Sequence, residues 1–453
     1  MREAAVGFDI GTSSIKCAIA DLATGKIVEG RTWNYPEGCE ILPGVVPLSI
    51  YTEALTKALT ELKADYRLKS AALTTAMYSV CRNTPDGVVA YQWNSLWERK
   101  PEIEEEMAKP LIDSGCRVDT IFPGYKLYTL KPEERASFLP YDIGAYLIKY
   151  LSGTLATDYI RTSTLGFFDA RKRCWNLELV RKLGFREEEL PLALPHNKAV
   201  GKICLHGFEN DDIIIAPGLG DGPSASYACK EISSLCGNIG TSMAIRTITK
   251  NPDFSYGSGL WNFAFDDEYF ATGGISSNAC KVFHWLEDIN QGRPGDSLPD
   301  AHEVLFFPWL HGERTPYWSS DLRGTITGLS IGDGSSEILG AAIRAVGFTF
   351  CQMERLLEHV VDEKEPLVLA GGGTNIRPLI DVIAGCLKRD IVLLKSESYL
   401  GGTGAAFSAA EAAGFEIHPD IEVSEVVHPT HLYERELDHW IEQSKRVSDW
   451  FRR

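Results

Sequence analysis

The tetrapeptide Ile-Gly-Thr-Ser occurs twice in this chain, at residues 10–13 and 239–242, each copy led by a short carboxylate or amide, Asp9 or Asn238, and flanked by strand-forming residues. A strand that runs into a Gly-Thr-Ser turn offers backbone N–H groups and hydroxyls that can converge on an anion. One copy alone is ordinary hairpin chemistry. Two copies about half a chain apart predict two related halves, with their turns facing each other across a polyphosphate. A nucleotide enzyme follows from that pairing. At 453 residues the chain also exceeds the size at which one core stops growing, so two domains are expected, 1–228 and 229–453, with a ligand cleft between them.

A formal net charge of -17 disfavours binding to nucleic-acid backbones and to acidic membrane surfaces. An anionic substrate must then be held by local donors and a counter-cation, against the overall field. Hydrophobic content of 44% with 24% charged residues is that of an ordinary folded domain. Eleven cysteines without a C-x-x-C pair read as reduced core thiols in a reducing cytosol. Residues 1–7 lead into a strand without an apolar signal core, and no stretch approaches the ~20 apolar residues of a membrane span, so the expected location is cytoplasmic. The ten histidines show no H-E-x-x-H spacing, and His428-x-x-His431 straddles Pro429, so no histidine metal site is expected.

Residues 4–30 read as strand, turn, strand, turn, strand, an antiparallel meander. Ala54, Leu55, Ala58, Leu59 and Leu62 then recur at helical spacing, and a buried strand follows over 70–75. Helices are predicted over 101–114 and 133–152 as an insertion on the first half. The second half repeats the strand-turn-strand theme over 234–246 and continues into a helix at 337–358. An apolar strand at 366–370 empties into Gly371-Gly372-Gly373, with a helix after it. A further strand, 391–394, leads through Gly401-Gly402-x-Gly404 to an Ala-rich helix at 405–413, and residues 432–453 read as a charged packing helix.

Asp9 ends a strand where phosphate oxygens would lie, so its carboxylate suits a hard divalent ion such as Mg²⁺, reached through water. The alternative is an Asx cap of the Gly11-Thr12 bend. Lys16 suits phosphate charge or a solvated strand face. Asp221, in Pro217-Gly-Leu-Gly-Asp-Gly-Pro223, follows a buried strand, and the glycines around it let backbone approach a ligand. A carboxylate there can accept the proton of an attacking alcohol, as phosphoryl transfer requires; a plain Asp-Gly turn is the alternative. Gly371 to Gly373 offer a side-chain-free surface for a flat base and ribose, or a packing device.

Taken together, Gly7-Phe-Asp-Ile-Gly-Thr-Ser-Ser-Ile-Lys16, Gly220-Asp221-Gly222, Gly240-Thr241-Ser242, His311-Gly-Glu-Arg-Thr-Pro-Tyr-Trp318, Arg323-Gly324 and Gly371-Gly-Gly373 resemble the FGGY family of carbohydrate kinases, from about residue 4 to 414. The resemblance implies an α/β fold of two actin-like ATPase (ribonuclease H-like) domains with a central cleft, ATP and Mg²⁺ as cofactors, and a sugar hydroxyl as acceptor. By that similarity Asp9 lies near the metal and Asp221 is the base. Thr12, Ser13 and Thr241 lie near the phosphates and Gly371, Gly372 and Gly373 near the adenosine, with Gly11, Lys16, Gly240 and Gly324 also expected among the cofactor-binding residues. The first domain carries the acceptor site and the first turn; the second carries the second turn and the adenosine site. Met77, Tyr78, Trp93, Asn94 and Asp221 are the expected acceptor residues. Here the chain departs from the pattern of gluconate and xylulose kinases: Tyr78 replaces a histidine, Ser95 and Trp97 replace an aspartate and an arginine, and Asp333 stands where many relatives carry histidine. Tyr78, Trp93 and Trp97 could line an aromatic pocket or belong to the core.

The expected activity is ATP-dependent phosphorylation of a small sugar, sugar acid or polyol, with gluconate ahead of xylulose or ribulose. Nucleic acid and membrane are not expected partners, and a homodimer is the assembly considered. Two other classes compete: a degenerate ATP- and sugar-binding sensor, for which Ser95 and Trp97 speak, and an actin- or chaperone-like ATPase acting on a protein. Retention of Asp9, Asp221 and both turns speaks for the enzyme.

Overall fold

The computed structural model describes residues 1–453 apart from 302, 363, 396–398, 419–420 and 452–453. β1 (Arg2–Ile10), β2 (Ser14–Asp21) and β3 (Ile27–Asn34) form an antiparallel meander. β1 and β2 are buried almost without interruption, as apolar strands at the middle of a covered sheet must be. Helix α1 (Leu48–Asp65) buries Leu48, Tyr51, Leu55, Ala58, Leu59 and Leu62 on one stripe and carries the chain across to β4 (Tyr66–Thr75), which lies parallel to β1. After an insertion that includes α2 (Ile143–Ser152), β5 (Gly201–Lys202) and β6 (Ile214–Ala216) complete a six-stranded sheet of order β5-β6-β4-β1-β2-β3.

Helix α3 (Asp221–Ala228) leads to a second sheet with the same central pattern. β7 (Cys236–Ile239) and β8 (Met243–Thr249) form its hairpin, and β9 (Trp261–Ala264) and β10 (Phe270–Ser276) extend the edge. After α4 (Ser335–Arg355) comes β11 (Leu367–Ala370), parallel to β7 as β4 is to β1. α5 (Arg377–Leu387), β12 (Ile391–Leu394), α6 (Leu400–Ala412), β13 (Val423–Val427) and α7 (Glu434–Asp449) follow, and the seven-stranded order is β9-β10-β8-β7-β11-β12-β13. The repeated Gly-Thr-Ser segments are the tips of the equivalent hairpins β1–β2 and β7–β8. They are not identical in length: Ile10 pairs with Ile15, whereas Ile239 pairs with Met243.

The two halves share a core through α6, which comes from the second half but packs on β1, β2 and β4 of the first sheet and on α3. Glycines permit that approach. A Cβ on Gly7 would lie 2.0 Å from the Gly402 oxygen and 2.1 Å from the Ala406 nitrogen, and one on Gly404 would lie 1.9 Å from the Ser224 oxygen. This corrects the expectation that Gly401 to Gly404 lead into a helix starting at Ala405. The helix already begins at Leu400, because close packing against the sheet repays the weak helix propensity of glycine. The expected single helix over 133–152 is likewise two: a short turn at Pro132–Arg135, then α2, whose cap Asp142 accepts a 2.9 Å bond from the Ala145 N–H.

Gly7→Ala is expected to cost about 3 kcal/mol or more through overpacking, read as a shift in the urea midpoint. Gly257→Ala, where a Cβ meets nothing within 4 Å, is the control and should shift it little.

Candidate active site

Asp221 is placed by the chain on either side of it. The buried strand β6 ends in a turn whose Gly218 has φ 72° and whose Cβ, if present, would lie 2.0 Å from the Leu73 oxygen, so only glycine fits. The Pro217 carbonyl accepts a 2.6 Å bond from the Arg161 guanidinium, which is fully buried and ion-paired with Asp158. Gly144 leaves room for that guanidinium: a Cβ there would overlap Arg161 at 1.6 Å. Asp221 then opens α3, and its carboxylate accepts a 2.8 Å bond from the Gly222 N–H. It faces the cleft and is open to solvent there, while protein closes in on its flanks. That crowding raises its carboxyl above the ordinary range, opposed by the Gly222 amide and the Arg246 charge.

Two chambers meet at this residue. One, of about 460 Å³, is lined by Asp9, Lys16, Gly371 and Gly401. The other, of about 450 Å³, is lined by Met77, Tyr78, Trp93, Thr241, Ser242, Lys281 and Arg314. Asp221, Gly222, Asn238 and Arg246 line both. Asp221 therefore stands at the opening between two spaces, each of the size of a small-molecule site.

In the first chamber Asp9 pairs directly with Lys16 across the β1–β2 ladder. Burial, followed by the nearby Asp221 charge, pushes the Asp9 carboxyl up to about 6, with Lys16 pulling the other way. Among the described residues no cluster of three or more His, Cys, Asp or Glu side chains could cage a metal. A lone carboxylate in a phosphate-sized chamber suits an ion that keeps most of its water, the Mg²⁺ pattern. The triple-glycine turn is partly a packing device: a Cβ on Gly371 or Gly373 would strike Ile239 at 2.4 Å, whereas Gly372 faces open space.

The second chamber is lined by both aromatic and cationic side chains. Tyr78 is held at φ 67°, a left-handed conformation uncommon for a bulky residue, with its ring edge-on to Phe122 at 5.4 Å. Trp93 is 47% exposed at the mouth. Lys281 and Arg314 line the same chamber. Burial and the Arg314 charge hold the Lys281 ammonium below its usual range. Among the described residues Arg314 has Asp119 at 3.8 Å and the buried Glu313 carboxyl close enough to feel its charge. Lys281 and Arg314 give this chamber two cationic donors that an anionic group can reach.

The tertiary structure also assigns Arg246 to the site. Its guanidinium is buried, donates to Ser226 Oγ at 2.7 Å and to Asn238 Oδ1 at 3.0 Å, and is pushed below its ordinary range by that burial. The signal available in the sequence was an arginine inside a strand, between Ile245 and Thr247, where an unpaired charge would be costly. Lys281 and Ser277 gave no such signal.

A family model describing the C-terminal domain of the FGGY family of carbohydrate kinases matches residues 236–413. The gluconokinase of Bacillus subtilis is 24% identical over 408 residues, covering 81% of this chain and 79% of that protein. Residues 236–413 thus match the C-terminal domain of that family, and the chain is similar to its members over most of its length. Among solved structures, the ligand-bound xylulose kinase of Lactobacillus acidophilus superposes with a TM-score of 0.86 at 20% identity, covering 99% of both chains. The glycerol kinase of Plasmodium falciparum with ADP gives 0.81 at 18%, covering 99% of this chain and 98% of that one. The fold is that of FGGY kinases, two actin-like domains around a cleft.

Of the FGGY residues expected from the sequence, Asp9, Lys16, Asp221 and Gly371 line the first chamber, and Met77, Tyr78, Trp93, Thr241 and Asp221 the second. Gly11, Thr12, Ser13 and Gly240 are at the hairpin tips, with the Gly11 N–H bonded to the Ser14 oxygen at 3.0 Å and that of Gly240 to the Ser242 oxygen at 2.8 Å. Gly324 lies against Leu310 and Asn94 beside Gly44, neither of them lining a chamber. Trp97 belongs to the core, packed on Tyr91 and Phe138 at 5.7 and 6.2 Å. Ser95 accepts from Trp97 Nε1 at 3.0 Å and from the buried Lys126 ammonium at 3.2 Å, so it anchors this core and does not face the acceptor chamber. Asp333 accepts from the Ser330 amide and hydroxyl in an exposed loop.

No helix among the described residues is long and apolar enough to cross a membrane.

Because the folded pKa of Asp9 is raised, the folded chain binds a proton more tightly than the unfolded one. Stability therefore falls as pH rises from about 4 through about 6, and the cost is complete above that. Asp9→Asn should stabilise the ligand-free protein by about 1–2 kcal/mol near pH 8, after allowance for cleft water. The gain should vanish near pH 4, as read by thermal unfolding at the two pH values.

Proposed function

We propose that this chain transfers a phosphoryl group from ATP to a hydroxyl of a small sugar acid, sugar or polyol, with Asp221 as general base. The observation that carries the reading is the position of Asp221 at the opening shared by the two chambers. A hydroxyl presented from the second chamber and a phosphate presented from the first would meet there and nowhere else in the cleft. Asp221 accepts the hydroxyl proton as the oxygen attacks, and burial raises its proton affinity above that of an ordinary carboxylate. Arg246, close to Asp221 and bonded to Asn238, keeps a positive charge beside the opening. Lys16 faces the phosphates. Asp9 would hold Mg²⁺ through water, and the ion would supply neutralisation of phosphate charge. Closure of the lobes excludes water and limits idle ATP hydrolysis.

Within the class, an aldonic acid of the gluconate type fits better than a ketopentose such as xylulose or ribulose. The support is the pair Lys281 and Arg314: a carboxylate gains charge-assisted bonds from them that a neutral acceptor does not. Tyr78 and Trp93 offer ring faces to the carbon chain.

Asp221→Ala should lower kcat by about a hundredfold to ten-thousandfold while ATP still binds by calorimetry; near-normal turnover would remove Asp221 as the base. In an ADP-release screen over ketoses, polyols and aldonic acids, acids should give the highest kcat/KM. Arg314→Ala and Lys281→Met should each raise KM for the acids about tenfold and change it little for neutral acceptors. If no compound raises ADP release above the water background, the sensor reading replaces this one.

A further inference from the structure

The chain crosses from the first half to the second through a short tight loop between two cysteines. Cys229 follows the last residue of α3, and Cys236 is the first residue of β7. Ser233 folds the loop back on itself: its N–H donates to the Cys229 carbonyl at 3.1 Å, and its own carbonyl accepts from the Cys236 thiol at 3.8 Å. The two thiols come within hydrogen-bonding reach of each other. Both line the first chamber, beside Gly222 and Arg246. They are 2% and 4% exposed, and the exposure they have faces that chamber.

We propose that Cys229 and Cys236 form a reversible disulfide that staples the helix carrying Asp221 to the strand carrying Asn238, and so arrests phosphoryl transfer under oxidising conditions. The proposal rests on reading the first chamber as the nucleotide chamber. α3 and β7 contribute to both chambers from opposite halves, so a bond between their facing ends restricts the lobe movement that closure requires.

The chemistry has a defined order. The Cys236 thiol is held below its usual range by the hydrogen bond from Cys229, the Arg246 charge and Ser226, while the shared proton stays on Cys229, which is raised. Given a peroxide as oxidant, the Cys236 thiolate attacks one peroxide oxygen: an S–O bond forms, the O–O bond breaks, and hydroxide leaves and takes up a proton. The Cys229 sulfur then displaces the oxygen of the Cys236 sulfenic acid, an S–S bond forms, and water departs with the Cys229 proton. Two thiols lose two electrons and hydrogen peroxide becomes two waters. A dithiol reductant reverses the bond.

The molecule supplies its own controls. Cys174 and Cys204 are exposed and have no partner thiol in reach among the described residues, while Cys351 and Cys386 interact in the second core without lining either chamber.

The test treats the reduced full chain with hydrogen peroxide, blocks free thiols, and digests with trypsin without reduction. Cleavage after Lys230 places the two cysteines on separate peptides, and fragmentation of the linked pair must find the blocking group on Cys204, which shares peptide 203–230 with Cys229. The expected result is that pair, a fall in turnover of about tenfold or more, recovery with dithiothreitol, and protection by bound ATP. Cys236→Ser should keep its own reduced rate under peroxide, and Cys229→Ser should accumulate a dimedone-reactive sulfenic acid at Cys236. Free thiols at 229 and 236 after Cys174 and Cys204 have oxidised would overturn the proposal. So would a formed disulfide with unchanged turnover and ATP affinity. Failure of the reduced protein to bind ATP would overturn the nucleotide reading instead, because the linked pair is scored without any ligand.

Discussion

The approach of α6 to β1 is the constraint on which the rest of the architecture depends. With a glycine at position 7 of the strand and another at 402 of the helix, backbone meets backbone, and a single methyl group at Gly7 would lie 2.0 Å from a carbonyl oxygen. Because α6 belongs to the second half of the chain, this contact merges the two halves into one hydrophobic core and sets the width of the cleft above it. The same helix carries Gly401, where a Cβ would come within 2.8 Å of Asp9. The packing that joins the halves therefore also keeps the floor of the first chamber clear of side chains, and Asp9 accessible to what binds there.

Charge is organised on a smaller scale than the molecule. A chain with a formal net charge of -17 presents an unfavourable field to any phosphate. The cleft inverts that field locally with Lys16 and Arg246 around the first chamber and Lys281 and Arg314 around the second. Asp9 and Asp221 sit between them, and the Asp221 charge adds to burial in raising the proton affinity of Asp9. A bound cation would relieve that repulsion and so offset the cost of the site in the ligand-free chain.

Much of this was legible before any coordinates. The meander of β1 to β3, the parallel strands β4, β6, β11 and β12, and the two equivalent hairpins follow from short-range patterns, in which apolar runs and turn residues act within a few positions of one another. Asp9 and Asp221 were legible because each ends or follows a buried strand with glycines beside it. Other features resisted. Gly401 to Gly404 look like a loop to any local rule, and only the sheet beneath them explains why they are helical. Trp97 and Ser95 stand where related kinases carry acceptor contacts, with Trp97 open between pocket and core; the ring packs on Tyr91 and Phe138 and the hydroxyl serves Lys126. Arg246, Lys281 and Arg314 reach the cleft from three distant stretches of chain, and no spacing within one segment announces that.

What the sequence by itself determined is the repeat: two hairpins with Gly-Thr-Ser tips, a carboxylate or amide before each, and the alternation of strand and helix that builds two sheets. These depend on backbone preference and local burial, which neighbouring residues dictate. What only the tertiary structure decided is how the sheets stand to each other, that Asp221 lies at the seam of two chambers, that the second chamber has two cationic donors, and that two thiols face each other at the crossover. Those depend on contacts between residues tens to hundreds of positions apart, and the energy that selects them is the packing of α6 into the groove left by glycine, which no short stretch of chain can express.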